Sequence, residues 1–259
     1  MNRKHRIATE QQSIKQILEE LPAKQMWAAT VFARLSRVVP IADRARVLDV
    51  GAASGGFLIA CSQFGYQGEG IEPWEEARLN AAKISEHLGI PIRIVDGTAE
   101  SIPYEDDTFD VVHASSVIEH VFDVEKAFTE IYRVLKPGGI FWFNTASAMC
   151  PVQGEISGFP LFGWYPDSLK RKIMDWAKEA KPHLIGYTRT PAIWWFTPAK
   201  ARLLLHQAGF RQVHDRWDLR LANEGGNLYK FVLFMIRSTK LSKILAEIVV
   251  PGCSYAAVK

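Results

Sequence analysis

The chain has 259 residues, of which 48% are hydrophobic and 23% charged, with a formal net charge of +3. These values fit one sizeable globular α/β domain with an extension or lid, and the charge is too small to argue for a nucleic-acid partner. No stretch reaches the about 18 apolar residues of a membrane span, and Cys61, Cys150 and Cys253 form neither a disulfide framework nor a zinc pattern.

The basic start Arg3-Lys4-His5-Arg6 runs into polar Thr9-Glu10-Gln11-Gln12 rather than an apolar core, so it does not read as a signal peptide; a reduced, cytoplasmic location is expected. Residues 1–43 read as a helical cap. Ile14, Ile17, Leu18 and Leu21 share one face, Pro22 interrupts, and a second helix carries Met26, Trp27, Val31, Phe32 and Leu35. Such a cap either packs on a sheet edge or covers a ligand. Arg46 to Val50 is then an apolar strand feeding Gly51-Ala52-Ala53-Ser54-Gly55-Gly56 and a helix from Phe57 to Phe64. A strand, a glycine turn and a helix in that order build a pocket for an anionic or nucleotide-like ligand, because glycine lets the backbone approach and the first helical N–H groups point at it.

Alternation follows. Strands are predicted over 67–71, 92–95, 109–114 and 140–144, with helices over 74–88 and 124–135, the last stopped by Lys136-Pro137-Gly138-Gly139. Residues 44–145 thus read as a doubly wound parallel core with its ligand at the strands' C-terminal ends. The rhythm breaks over 146–197, a stretch rich in aromatics and proline, and loops of that length are usually lids or binding segments. Over 198–259 a helix (198–208), a strand (211–219), a mostly apolar helix, straight or bent (228–250), and a short strand (254–258) complete the core.

The separated motifs VLDVGAASGGFL (47–58), GIEP (70–73), GTAESIPYEDDTFDVV (97–112), SSVIEHVFD (115–123) and RVLKPGG (133–139) resemble, in order and spacing, the class I S-adenosylmethionine-dependent methyltransferases. Within them the chain is similar to the small-molecule group of ubiquinone and menaquinone biosynthesis methyltransferases. The resemblance covers roughly residues 44–145. It implies a Rossmann-like, mostly parallel seven-stranded sheet, with the N-terminal helical extension and the aromatic insertion after the fifth strand as additions, and S-adenosyl-L-methionine as cofactor.

By that resemblance, Asp49 and Gly51 lie under the methionine moiety, Ala53 and Gly55 shape the turn, Glu72 with Pro73 takes the ribose hydroxyls, Thr98 and Ala99 serve the adenine, and Ser115 lines the floor. Two departures stand out. Ala53 occupies a usual glycine position, and Thr98 stands where an adenine-binding Asp is often found, with Asp96 two residues earlier. The Asp/Asn-Pro-Pro-aromatic tetrad of enzymes acting on nucleobase amines does not occur after the fourth strand.

Methyl transfer is an in-line displacement in which the protein mainly positions the reactants. A general base helps a hydroxyl acceptor, and His120 and His183 are the candidates; the alternative for His120 is ordering its loop, and for His183 a surface or capping role. Tyr187, Trp194 and Trp195 are expected to wall an acceptor pocket. No cluster of carboxylates and amides suggests a metal. The apolar stretch 228–250 reads as a buried helix or dimer face, with a membrane-surface helix as the alternative. The reading is therefore a small-molecule methyltransferase, oxygen slightly favoured as acceptor, working as a monomer or homodimer. A protein or RNA methyltransferase, a catalytically silent cofactor-binding scaffold and, remotely, a nicotinamide dehydrogenase are the alternatives.

Overall fold

The computed structural model describes residues 14–186 and 189–259, with side chains from residue 19 onward. Strands with apolar residues on both faces are stable only in a sheet covered on both sides. Val47-Leu48 and Val111-Val112 have that character, and they define the centre. There β1 (Arg46–Val50) lies between β2 (Gln67–Ile71) and β4 (Phe109–Ser115), parallel to both. β3 (Arg93–Val95) forms one edge, and β5 (Leu135–Thr145) continues parallel from β4. β7 (Cys253–Val258) runs antiparallel to β5 and to β6 (Gln212–Asp215), which gives the order 3-2-1-4-5-7-6. The expected seven-stranded, mostly parallel, doubly wound architecture is thus present.

One face carries α1 (Ile14–Leu35), α2 (Gly56–Gln63) and α3 (Glu75–Leu88), the other α4 (Val124–Val134) and α6 (Pro198–Gln207). In α4, Val124, Ala127, Phe128, Ile131 and Val134 fall on one stripe and are all buried. Asp123 caps that helix, accepting from the Lys126 amide at 2.9 Å.

Four local expectations are corrected. Pro22 does not divide the first helix: α1 runs through it, because Ala28, Val31, Phe32 and Leu35 are buried against the sheet and tertiary packing outweighs the missing hydrogen bond. The fifth strand, expected from Ile140, begins already at Leu135 and includes Lys136-Pro137-Gly138-Gly139, with Gly138 at φ 78° turning the strand where its pairing to β4 shifts. The strand expected over 211–219 stops at Asp215, whose carboxylate accepts from the Trp217 and Asp218 amides and so starts the short helix α7 (Arg216–Leu219). The apolar stretch near the C-terminus is two helices, α8 (Asn227–Ser238) and α9 (Lys240–Val249). They divide at Thr239, which caps α9 by accepting from the Ser242 amide.

The insertion also holds a helix not foreseen, α5 (Asp167–Ala180). Its Met174 and Ala177 join Phe162, Ile185 and Trp195 in a small core separate from the sheet.

Candidate active site

The ends of β1, β2 and β3 are laced into one rim by backbone groups. The Gly51 and Ala52 amides donate to the Ile71 carbonyl, and the Glu72 amide donates to the Val95 carbonyl. Glu72 is 5% exposed, yet its carboxylate faces the glycine turn and accepts from the Ala53 amide at 2.9 Å and the Trp74 amide at 3.2 Å. Burial raises its pKa above the ordinary 4.5, and the two amide hydrogen bonds oppose that rise. A buried carboxylate already aimed by two N–H groups is a pre-positioned acceptor for hydroxyl donors.

The turn is held open by geometry only small residues tolerate. Gly51 has φ 72°, and an added Cβ would sit 2.5 Å from Val117 Cγ2. Ala53, at φ 47°, adopts the left-handed conformation that the more usual glycine would take freely. Ala53, Pro73 and Thr98 are exposed and Gly51 and Ser115 half-buried, whereas Gly55 and Ala99 are buried. Asp96 pairs with Arg78 at 2.8 Å, and Arg78 also donates to the Glu72 carbonyl at 2.6 Å; Asp96 therefore braces the rim.

Asp49 faces the α1/α2 side of the sheet. One of its oxygens lies 2.7 Å from His113 Nδ1, and both residues are buried. The His113 ring is stacked between Phe57, centroids 3.7 Å apart, and Trp142, at 5.0 Å. The Lys24 side chain of α1 runs over Gly56 at the head of α2, within 2.5 Å of where a Cβ would be, so the N-terminal helix both packs on the sheet and reaches the glycine turn.

The insertion crosses the same end of the sheet and is clasped at two places. Arg189 meets Glu76 at 2.6 Å and lies over the Trp74 ring at 4.8 Å. On the other side, the Ile193 and Trp194 amides donate to the Glu119 carbonyl, and the Trp194 indole N–H donates to the Val121 carbonyl at 2.8 Å. The ring of Trp194 also carries Lys200 at 4.8 Å and Arg171 at 5.2 Å.

Trp195, expected as a pocket wall, is 1% exposed and packs in the core of the insertion, against Phe162 and under the Lys170 ammonium. Tyr187 lies outside the described residues. The two histidines are not brought into equivalent places. His120 is largely buried, hydrogen-bonded to the backbone of Pro191 and Thr190, and burial lowers its pKa below 6.5. His183 is exposed on a single 3-10 turn, Pro182–Leu184.

Glu119 was missed in the sequence, although it directly precedes His120. It is buried just beyond β4, accepts from the Thr145 hydroxyl at 2.8 Å, and its carboxyl is pushed up to about 8, chiefly by burial. The signal was an acidic residue beside His120 between the apolar pair Val117-Ile118 and Val121. Only the fold shows that it closes against Thr145 at the end of β5.

This strand order, with an acidic residue ending β2 over a glycine turn, defines the class I S-adenosylmethionine-dependent methyltransferase fold. The methyltransferase domain family model matches residues 23–215, and the chain belongs to that family. It is 37% identical over 97 residues to the uncharacterized methyltransferase YcgJ of Bacillus subtilis, covering 37% of this chain and 38% of that protein. It is 33% identical over 111 residues to the sterol 4-C-methyltransferase strm-1 of Caenorhabditis elegans, covering 41% of this chain and 33% of that one. The aligned part thus spans about a third of these relatives' length. In structure, an S-adenosylmethionine-dependent methyltransferase from Mesorhizobium loti superposes with a TM-score of 0.59 at 19% identity, over 92% of this chain and all of that one.

Proposed function

We propose that the protein transfers a methyl group from S-adenosylmethionine to a small-molecule acceptor. The observation that carries this reading is the buried Glu72 carboxylate, oriented by the Ala53 and Trp74 amides toward a turn that Gly51 and Ala53 keep in left-handed backbone geometry. When bound, the cofactor supplies a sulfonium-activated methyl group; the chain's residues hold and orient it. Glu72 and Pro73 hold the ribose, and Thr98 and Ala99 bracket the adenine through a hydroxyl and a backbone amide. Gly51, Ala53, Gly55 and Ser115 form the floor. Asp49, with one oxygen engaged by His113, offers the other to the ammonium of the methionine part.

On the acceptor side, the insertion shuts water out of the transfer region through the Arg189 and Trp194 clasps. Trp194 and Tyr187 are assigned to this side, Trp194 as an anchored element and not as a free wall. For an oxygen acceptor, His120 is the better base candidate: its lowered pKa keeps the imidazole neutral at neutral pH, and the Thr190–Pro191 backbone orients it. His183, exposed on its turn, keeps only a peripheral role in acceptor entry.

Calorimetric titration with S-adenosylmethionine and S-adenosylhomocysteine tests the reading. Micromolar binding by wild type that collapses in Glu72→Ala supports it, and binding unchanged by that substitution overturns the site.

A further inference from the structure

The α8–α9 hairpin is amphipathic the wrong way round for a helix pair packed on a soluble core. On α8, Leu228, Phe231, Phe234 and Met235 point outward with exposures of 77%, 60%, 68% and 48%; on α9, Leu241, Leu245 and Val249 do the same at 65%, 56% and 77%. Their spacing is that of a stripe normally turned to the core. The charged residues take the inward side instead. Arg237 donates to the carbonyls of Trp217, Asp218 and Arg220, Lys243 meets Asp218 at 2.5 Å, and Glu247 is 2% exposed beside Arg216. A cleft of about 560 Å³, lined mainly by apolar residues such as Val232, Ile236, Leu245 and Val249, opens between the two helices.

The charge of the hairpin says what covers this face. From Asn227 to Val249 the chain carries Lys230, Arg237, Lys240 and Lys243 against a single acid, Glu247, which is buried. The exposed charges, Lys230 and Lys240, are therefore cationic and flank the apolar stripes. Pairing with a second copy through this face would bring these like charges together. An anionic bilayer matches both features, because the phenylalanine and leucine side chains enter the headgroup–acyl boundary while lysines reach phosphate groups.

Between β6 and the hairpin the chain turns back along the α1 face, where Leu219 packs with Val47 and Val258 and Glu224 holds Arg34, so the hairpin stands on the flank of the sheet. We infer that α8 and α9 dock the protein onto an anionic membrane surface, lying in the interface without crossing it. Among the described residues no helix is long and apolar enough to span a bilayer. The inference does not depend on which acceptor is methylated.

The test is flotation of the full chain with vesicles of phosphatidylcholine alone and of phosphatidylcholine containing one-third phosphatidylglycerol. Wild type is expected to float with the anionic vesicles only. A single lysine near an anionic surface changes partitioning about fivefold, so Lys230→Glu with Lys240→Glu should lower it by at least about thirtyfold. Phe231→Ser with Phe234→Ser should abolish flotation with an unchanged melting temperature, both side chains being solvent-exposed in the free protein. Failure of wild type to float with either vesicle overturns the proposal, as does equal flotation with both. A concentration-dependent dimer in light scattering, dispersed by the Phe231/Phe234 double substitution, would assign the face to a second copy and overturn it too.

Discussion

Asp49 and His113 sit opposite each other on the neighbouring parallel strands β1 and β4, and their side chains meet at 2.7 Å inside the layer between the sheet and α1–α2. The next residue in the row is Trp142 on β5, so one sheet register brings together a carboxylate, an imidazole and the indole stacked on it. His113→Phe keeps the stack but leaves a buried carboxylate without its partner. A loss of about 2–4 kcal/mol in urea unfolding is expected, and His113→Ala should lose more by opening a gap between Phe57 and Trp142. A change under 0.5 kcal/mol for His113→Phe would show that Asp49 finds another partner at no cost.

Glu72→Gln should weaken S-adenosylmethionine binding about ten- to hundredfold, the range for losing charge-assisted hydrogen bonds of about 1.5–3 kcal/mol. Wild-type affinity should also fall on acidification. Burial raises the Glu72 pKa, so the proton that removes its acceptor oxygen binds at a pH above the ordinary 4.5. Calorimetry from pH 8 down to pH 4.5 checks this, and a flat profile over that range would mean that Glu72 takes no part in binding.

Glu119 gives a pH dependence of stability with the opposite direction from the usual carboxylate. Its folded pKa of about 8 lies above the unfolded value near 4.5, so between these the native state holds the extra proton. Stability is therefore lost as pH rises through that window, by up to about 1.4 kcal/mol per unit. Glu119→Gln keeps an acceptor for the Thr145 hydroxyl without the charge. Its melting temperature should fall less than that of wild type between pH 6 and pH 9, and parallel curves would contradict the raised pKa.

His120→Ala should lower kcat by about 10²–10⁴ if the acceptor is a hydroxyl, with S-adenosylmethionine affinity unchanged. The acid limb of the wild-type rate profile should lie below pH 6.5, because burial lowers this imidazole's pKa and keeps the base form available. A uniform drop at every pH, restored by His120→Asn, would identify the residue as an orienter of the Thr190–Pro191 segment.

The glycine turn offers a paired test. Ala53→Gly relieves left-handed backbone strain of about 1–2 kcal/mol and adds about 0.4–1 kcal/mol of unfolded-state entropy, for a net stabilisation of about 0.5–1 kcal/mol. Gly51→Ala meets both φ 72° and the Val117 methyl, so a loss of more than about 2 kcal/mol is expected. Thermal unfolding of the two variants should move in opposite directions.

Much of this protein was legible in its sequence. Residues 46–50, 67–71 and 124–134 form their elements because apolar period, caps and turn residues agree locally, and the order of those elements determined the sheet. The glycine turn and Glu72 were readable because fixed spacing within a strand–turn–helix unit carries its own geometry. What only the tertiary structure decided depends on contacts between distant residues. His113 became the partner of Asp49, 64 residues away, through strand register. Glu119 gained its raised pKa by closing on Thr145, and Trp195 went into the insertion's own core where a pocket wall was expected. The apolar stretch near the C-terminus shows the limit most plainly. Its periodicity established that helices form, but a hydrophobic stripe looks the same whether it faces inward or outward. Here the inward side was taken by Arg237, Lys243 and Glu247, whose polar groups find carbonyl and charged partners on α7 and the loop after it, and the apolar stripes were left to the solvent side.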